Sequence, residues 1–356
     1  MAIHSDSWRD SRLVPALGRL KPYAAGKGFT EISRRYGIHP SRIVKLGSNE
    51  NPYGPSPKVA QALAAVSPER YPEPEALLEG LASYTGFPEE MIVIGAGMDG
   101  VMDTLSRIFL EKGDRTHIPT PTFSYYEILT ILAGAEPAFS PRHPGFEAEA
   151  AVPADAKMAF FCTPNNPTGN AMSEEQVRAV VESTEAIVFL DEAYVEFAEK
   201  SHIHLVKEYD NLVVGRTLSK AFGLAGMRLG YALAPQWIAD QYRRAAPPFF
   251  AISAASVAAG AAALSDLPFM RRSVERIVSE RGRLQRQIAA FPSQANFFYL
   301  ETEQDSAAFT EKFLQRGIII RDCRSFRGSG EHHVRVTVGT PEENERFLSA
   351  FREICA

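Results

Sequence analysis

Cysteine is scarce in this chain of 356 residues: Cys162, Cys323 and Cys355 stand far apart, with no C-x-x-C pair. That spacing supports neither a disulfide framework nor a structural zinc site, and it fits a reducing cytosol. Positive charge is not in excess, since 38 Lys plus Arg stand against 43 Asp plus Glu, a formal charge of −5. A nucleic-acid binder needs a basic field, and this chain has none. Long apolar runs are missing as well. The longest, around Ala251 to Leu264, is Ala-rich and interrupted by Ser253 and Ser256, and it falls short of the ~20 residues of a membrane span. Met1 to Asp10 lacks the apolar core of a signal peptide. The expectation is a cytoplasmic protein with no membrane and no nucleic-acid partner.

What is present suits a folded protein. Hydrophobic residues make up 45% and charged residues 23% of the chain, enough apolar surface to offset the entropy of ordering. At roughly 150 residues per domain, the length suggests two domains. Short apolar runs such as Met91–Ile94, Arg115–Ile118, Met158–Phe161, Ala186–Leu190 and Asn211–Val214 read as buried strands. Gly100–Glu111, Ser173–Glu182 and Pro235–Arg244 carry helical spacing between them. This alternation predicts an α/β domain with a mostly parallel sheet flanked by helices, over residues 46–246. After Pro247-Pro248 the pattern changes to one long helical region, Ala251 to Ala290, followed by strands at Asn296–Leu300, Gly317–Ile320 and His333–Val338 and a last helix from Pro341. Residues 247–356 therefore read as a smaller α+β domain. Residues 1–45, rich in Pro and Gly, read as an arm that packs on that domain or on a partner subunit.

Gly95-Ala-Gly-Met-Asp-Gly100 matches G-x-G-x-x-G between a predicted strand and a predicted helix. Glycines let backbone approach an anion, and the N–H groups of a helix start stabilise a phosphate. Three readings follow: a phosphate site, an empty turn, or a nicotinamide dinucleotide site. The last also wants a strand ending in an acidic residue ~20 residues on, whereas Arg115–Ile118 runs into Pro119-Thr-Pro-Thr-Phe123.

Asp191 closes a buried apolar strand, so its carboxylate needs a cationic or hydrogen-bonding partner. Lys220 lies in Thr217-Leu-Ser-Lys-Ala-Phe-Gly-Leu-Ala-Gly-Met-Arg228. A lone loop lysine is ordinarily a solvated surface group. Here an amine that can condense with a carbonyl stands among hydroxyls, an arginine and a helix anion site, a set that suits an aldehyde cofactor bearing a phosphate. The carboxylate supplies what that cofactor's ring nitrogen wants. The combination points to pyridoxal 5′-phosphate. Thr163-Pro-Asn-Asn166-Pro-Thr-Gly169 reads as a turn, and at the end of an adjacent strand one of its Asn amides could donate to the cofactor's ring oxygen.

With Leu20-Lys-Pro-Tyr23, Lys45 to Pro55, Asn166-Pro-Thr-Gly169, Asp191-Glu-Ala-Tyr194, Ser219-Lys-Ala-Phe222, Ile320-Arg-Asp322 and Val334-Arg-Val-Thr-Val-Gly-Thr340, the chain resembles the aspartate-aminotransferase superfamily of pyridoxal-phosphate enzymes. Within it, these phrases are similar to those of the histidinol-phosphate aminotransferases. The resemblance implies the type I fold of such transferases. It implies that Lys220 carries the cofactor and shuttles the proton at the substrate Cα, that Asp191 pairs with the ring nitrogen, and that Asn166 and Tyr194 hydrogen-bond the ring oxygen while Phe123 stacks on the ring. The phosphate would meet Met98, Asp99, Thr217, Ser219 and Arg228, with Tyr53 reaching across a homodimer interface. Arg335 matches the position for a substrate carboxylate, and Arg321 with Tyr23 the position for the phosphate of histidinol phosphate. The implied reaction exchanges the amino group of L-histidinol phosphate with 2-oxoglutarate, yielding glutamate.

Two departures stand out. Relatives commonly carry a small or hydroxyl residue and then Asp-Glu in the phosphate turn, against Met98-Asp99-Gly100 here, and they often carry Asn where this chain has Phe250. His202 with His204, and His332 with His333, have no third ligand at metal spacing and read as surface residues; no metal is expected. Rival readings are an aromatic amino-acid aminotransferase, a threonine-phosphate decarboxylase, a nicotinamide-dependent oxidoreductase built on residues 95–100, and a catalytically silent relative.

Overall fold

Runs of four to seven β-branched and aromatic residues, apolar on both faces, favour central strands covered by helices on each side. The computed structural model describes residue 8, residues 11–20 and residues 26–355. After a short strand β1 (Val44–Lys45), the main sheet is built from β2 (Ile92–Ala96), β3 (Arg115–Thr120), β4 (Glu136–Pro141), β5 (Ala156–Cys162), β6 (Ile187–Asp191), β7 (Leu212–Thr217) and β8 (Leu229–Leu233). Their spatial order is β2-β8-β7-β6-β5-β3-β4. All run parallel except β8, which is antiparallel to both β2 and β7.

Successive side chains of a strand enter opposite faces, and the core divides accordingly. Phe161, Val188, Leu190 and Val214 pack in one apolar cluster, and Phe160, Ile187, Phe189 and Val213 in another. Two strands of this sheet escape the sequence reading. β4 is a half-exposed edge holding Pro137 and Pro141, so it has no apolar run to betray it. β8 hides behind the Gly-rich stretch that precedes it.

A second sheet comprises β9 (Phe297–Glu301), β11 (Arg321–Asp322) and β12 (His333–Thr337), antiparallel in the order β11-β12-β9, while β10 (Ile318–Ile319) pairs in parallel with β1. Phe298, Phe313 and Phe347 interlock between this sheet and the helices Ser306–Leu314 and Pro341–Cys355. Beside β1, Ile32 packs with Ile43, Leu314 and Ile319, so residues 29–45 lie on the C-terminal part of the chain.

The long helix expected from Ala251 to Ala290 is two helices, Ala254–Leu264 and Leu267–Gln285. Pro268, in the first turn of the second, explains the break: its ring and missing N–H are tolerated at a helix start and not inside one. His202 also departs from expectation. It is buried, and its backbone N–H donates to Glu192 Oε1 at 2.7 Å.

Glu192 lies in the core with Arg216, whose Nε and Nη2 donate to Glu192 Oε2 at 3.0 and 2.9 Å. The pair ties the ends of neighbouring strands β6 and β7. Removing one partner strands a buried charge, which costs about 3–5 kcal/mol. Arg216→Ala should lower the unfolding free energy by that amount in urea titrations, and a loss under about 1 kcal/mol would show that the pair is solvated.

Candidate active site

Strand direction assembles the site. β2, β3, β5, β6 and β7 all end on one edge of the sheet, and antiparallel β8 begins there, so Ala96, Thr120, Cys162, Asp191, Thr217 and Arg228 reach a common rim. Open α/β sheets bind ligands beyond that edge. A cavity of about 230 Å³ lies there, lined by Met98, Asp99, Phe123, Asn166, Asp191, Tyr194, Thr217, Ser219, Lys220, Arg228, Arg321 and Arg335. Residues spread over more than two hundred positions of sequence thus meet around one space.

Of the expected residues that the structure describes, Tyr53 is not among its walls. Tyr53 lines a separate cavity of about 610 Å³ with Arg276 and Pro341, its ring 5.3 Å from the Arg276 guanidinium carbon. Tyr23 lies outside the described residues.

The Gly-rich turn joins β2 to the helix Gly97–Phe109. Gly97 has φ +77°, open to glycine at no steric cost. Opposite it, a Cβ at Gly230 would fall 2.2 Å from the Met98 nitrogen, so only glycine lets the helix start approach β8. The dinucleotide reading fails on topology: β2 is an edge strand beside an antiparallel neighbour, whereas that motif opens from the middle of a parallel sheet. Arg228 Nη2 donates to Asp99 Oδ2 at 2.8 Å, so the side chain of Asp99 holds the arginine beside the turn. Thr217 Oγ1 lies 2.9 Å from Ser219 Oγ and accepts the Ser219 N–H at 3.1 Å.

Burial pushes the Asp191 carboxyl up to about 6, while the Tyr126 hydroxyl, donating to Oδ2 at 2.6 Å, and the Ala193 N–H, donating to Oδ1 at 2.9 Å, hold it down. The carboxylate form therefore persists at neutral pH and is oriented. Burial, reinforced by the positive charge of Arg335, pulls the Lys220 ammonium down to about 8. Its Nζ donates to the Ser48 carbonyl at 3.3 Å.

Arg321 and Arg335 are direct cross-strand neighbours on β11 and β12. Like charges so placed repel, and a site for anions gives them a use. The ring of Phe326 stands within reach of both, 5.4 Å from the Arg321 guanidinium carbon and 5.9 Å from that of Arg335. Arg335 donates to the Gly47 carbonyl at 2.9 Å and to Asn166 Oδ1. With its oxygen so engaged, the Asn166 amide has its NH₂ end left to donate. Sequence reasoning missed the Gly47 and Ser48 carbonyls, Asn49, Tyr126 and Phe326. Nothing in a backbone carbonyl, or in a tyrosine set at helical spacing, signals such a part.

The donor set matches a phosphorylated pyridine aldehyde. Lys220, an amine with depressed proton affinity, would hold the carbonyl carbon, the oriented Asp191 carboxylate would pair with a ring nitrogen, and the helix start with two hydroxyls and a guanidinium would take a phosphate. At pH 7 an amine titrating near 8 is neutral about a tenth of the time, roughly 300-fold more than one at 10.5. Covalent loading of cofactor-free protein should therefore rise with pH and level off above about 8, followed by absorbance in stopped flow. A rise continuing beyond pH 10 would mean that Lys220 is solvated.

The family model for aminotransferase class I and II matches residues 41–351. The chain is 47% identical to the histidinol-phosphate aminotransferase of Methanosarcina mazei over 93% of its own length and 94% of that protein. It is 44% identical to the Methanococcoides burtonii protein of the same name, over 95% and 97%. The crystal structure of histidinol-phosphate aminotransferase from Sinorhizobium meliloti in complex with pyridoxal 5′-phosphate superposes with a TM-score of 0.86 at 27% identity, covering 97% of each chain.

Proposed function

Since the chain belongs to the class I and II aminotransferases, we propose that it moves the amino group of L-histidinol phosphate to 2-oxoglutarate, giving imidazole-acetol phosphate and L-glutamate in histidine biosynthesis. Its cofactor is pyridoxal 5′-phosphate, as bound in the Sinorhizobium meliloti neighbour. The observation that carries the reading is the pair of cross-strand arginines opening into the cavity that holds Lys220 and Asp191. Both substrates present oxyanions, one a phosphate and the other carboxylates, and two adjacent guanidinium forks can grip either.

When bound, the cofactor supplies a protonated ring that accepts the negative charge developing at the substrate Cα. Asp191 keeps the ring nitrogen charged. Lys220 holds the cofactor and then, as a neutral amine, takes the proton from Cα and returns it on the cofactor side. Asn166 and Tyr194 donate to the ring oxygen, and Phe123 covers the ring face. The N–H groups of Met98 and Asp99, the hydroxyls of Thr217 and Ser219, and Arg228 hold the phosphate. Tyr53, outside its own chain's cavity, acts across the interface of a homodimer, and Tyr23 joins Arg321 at the substrate phosphate. The same proposal divides the chain into an arm (1–45), a cofactor domain (46–246) and a small domain (247–356), in a cytoplasmic enzyme. Among the described residues no helix is long and apolar enough to cross a membrane.

A half-reaction panel tests the assignment. Loaded enzyme is mixed separately with histidinol phosphate, phenylalanine, tyrosine and threonine phosphate while the visible band is followed. Histidinol phosphate should discharge the band fastest. Faster discharge by an aromatic amino acid, or release of carbon dioxide from threonine phosphate, would overturn the substrate.

A further inference from the structure

Asn49 is a buried residue in the left-handed region, at φ 55°, a conformation that costs a non-glycine residue energy and collects at functional sites. Three contacts hold it there. Its N–H donates to Thr337 Oγ1 at 2.9 Å, the Thr337 hydroxyl donates to Asn49 Oδ1 at 3.0 Å, and Asn296 Nδ2 donates to the Asn49 carbonyl at 3.0 Å. From this anchored amide, Nδ2 donates to the Tyr194 hydroxyl oxygen at 3.1 Å.

The direction of this chain follows from satisfiability. Thr337 is buried, and its single hydroxyl proton needs an acceptor. Asn49 Oδ1 provides one; turning the amide over would set the NH₂ group against that hydroxyl and leave its proton without that acceptor. With the carbonyl end fixed on Thr337, the NH₂ end must face Tyr194. The phenolic oxygen then accepts from Asn49, and its own proton points elsewhere. Tyr194 lines the cavity.

We propose that Thr337 and Asn49 form a one-way hydrogen-bond relay that aims the Tyr194 proton into the Lys220 cavity, and so lowers the basicity of the bound cofactor. The inference rests on reading Tyr194 as a donor to the cofactor's ring oxygen. Thr337 and Asn49 touch neither substrate nor cofactor in this scheme; they are positioning residues. Arg335 and Thr337, two apart on β12, share one face of the strand, so a single strand delivers a substrate arginine and the origin of the relay. Tyr194 is also faced by Lys220 after β7, Arg335 on β12, Asp191 on β6 and Cys162 on β5, all left intact by the variants below.

The test is the pH midpoint of the visible band of the loaded enzyme, measured without substrate. Tyr194→Phe deletes the donor and sets the ceiling, a midpoint raised by about one unit or more. Thr337→Val keeps shape and loses the hydroxyl, so the amide is no longer locked; the midpoint should rise by roughly half a unit, and Thr337→Ser should restore it. Asn49→Asp offers Tyr194 an acceptor instead of a donor, turns its proton away from the cavity, and should approach the Tyr194→Phe value. The double variant Tyr194→Phe/Thr337→Val should move no further than Tyr194→Phe alone, because both act through one proton.

A merely structural role would weaken cofactor retention and leave the midpoint in place. Unmoved midpoints in Thr337→Val and Asn49→Asp, beside a shifted Tyr194→Phe, would overturn the relay alone. An unmoved midpoint in Tyr194→Phe would overturn the assignment of Tyr194 itself and the relay with it. Should Asn49→Asp fail to fold, the Thr337→Val and Thr337→Ser pair decides.

Discussion

Lys220→Ala is expected to lower kcat by about 10⁴-fold or more, while the protein still folds and retains pyridoxal phosphate noncovalently. A positioned acid–base group contributes about 10² to 10⁴ on its own, and here the covalent anchor goes with it. The amine occupies a buried position against the Ser48 carbonyl, and its depressed proton affinity matches a base that works near neutral pH. Alanine leaves space and removes a group that is costly to bury when charged, so stability should hold or rise. Steady-state turnover, borohydride treatment and gel filtration of the coloured protein separate these outcomes. Retained activity, or cofactor still fixed by borohydride, would place the chemistry on another amine.

Arg335→Ala is expected to weaken kcat/KM for both histidinol phosphate and glutamate by about 2–5 kcal/mol, the cost of unpairing a buried charge on a ligand. Protein groups orient the guanidinium. Gly47 and Asn166 accept from it, and the Phe297 ring lies 5.1 Å from its central carbon. A fork held this way loses little freedom on binding, so Arg335→Lys should recover only part of the loss: a point charge cannot reproduce two parallel donors. The substitution also frees the Asn166 oxygen to turn into the cavity, so a fall in kcat should accompany the rise in KM. Measuring both half-reactions separately reads the two effects. Unchanged kinetics for both substrates would remove Arg335 from the site.

Asp191 and Lys220 were legible because each carries a chemical signature, whereas Tyr194, Phe123, Arg321 and Arg335 entered through the family resemblance. A carboxylate closing an apolar strand, as at Asp191, is costly unless it has a partner. A lysine among hydroxyls, glycines and an arginine, as at Lys220, is an unusual loop. The main strands were legible because central parallel strands are apolar on both faces, and β4 was not, because a half-exposed edge strand with two prolines looks like a connection. The break at Pro268 was readable in principle, since proline belongs to a helix start; the apolar and charged stretches on either side masked it. His202 shows the opposite limit, for nothing local distinguishes a histidine that ends up buried against Glu192 from one in water.

By itself, then, the chain order determined the alternation of strand and helix, the lack of any long apolar run, and which residue types could do chemistry. Tertiary structure alone decided how they meet. The reversed direction of β8 carries Arg228 to the rim where the parallel strands end. The pairing of β11 with β12 sets Arg321 opposite Arg335, and the left-handed turn at Asn49 brings an amide to Tyr194. These are relations between segments far apart in sequence, fixed by strand direction, register and the satisfaction of buried donors. A local pattern cannot encode them, because each depends on a partner that only the completed fold supplies.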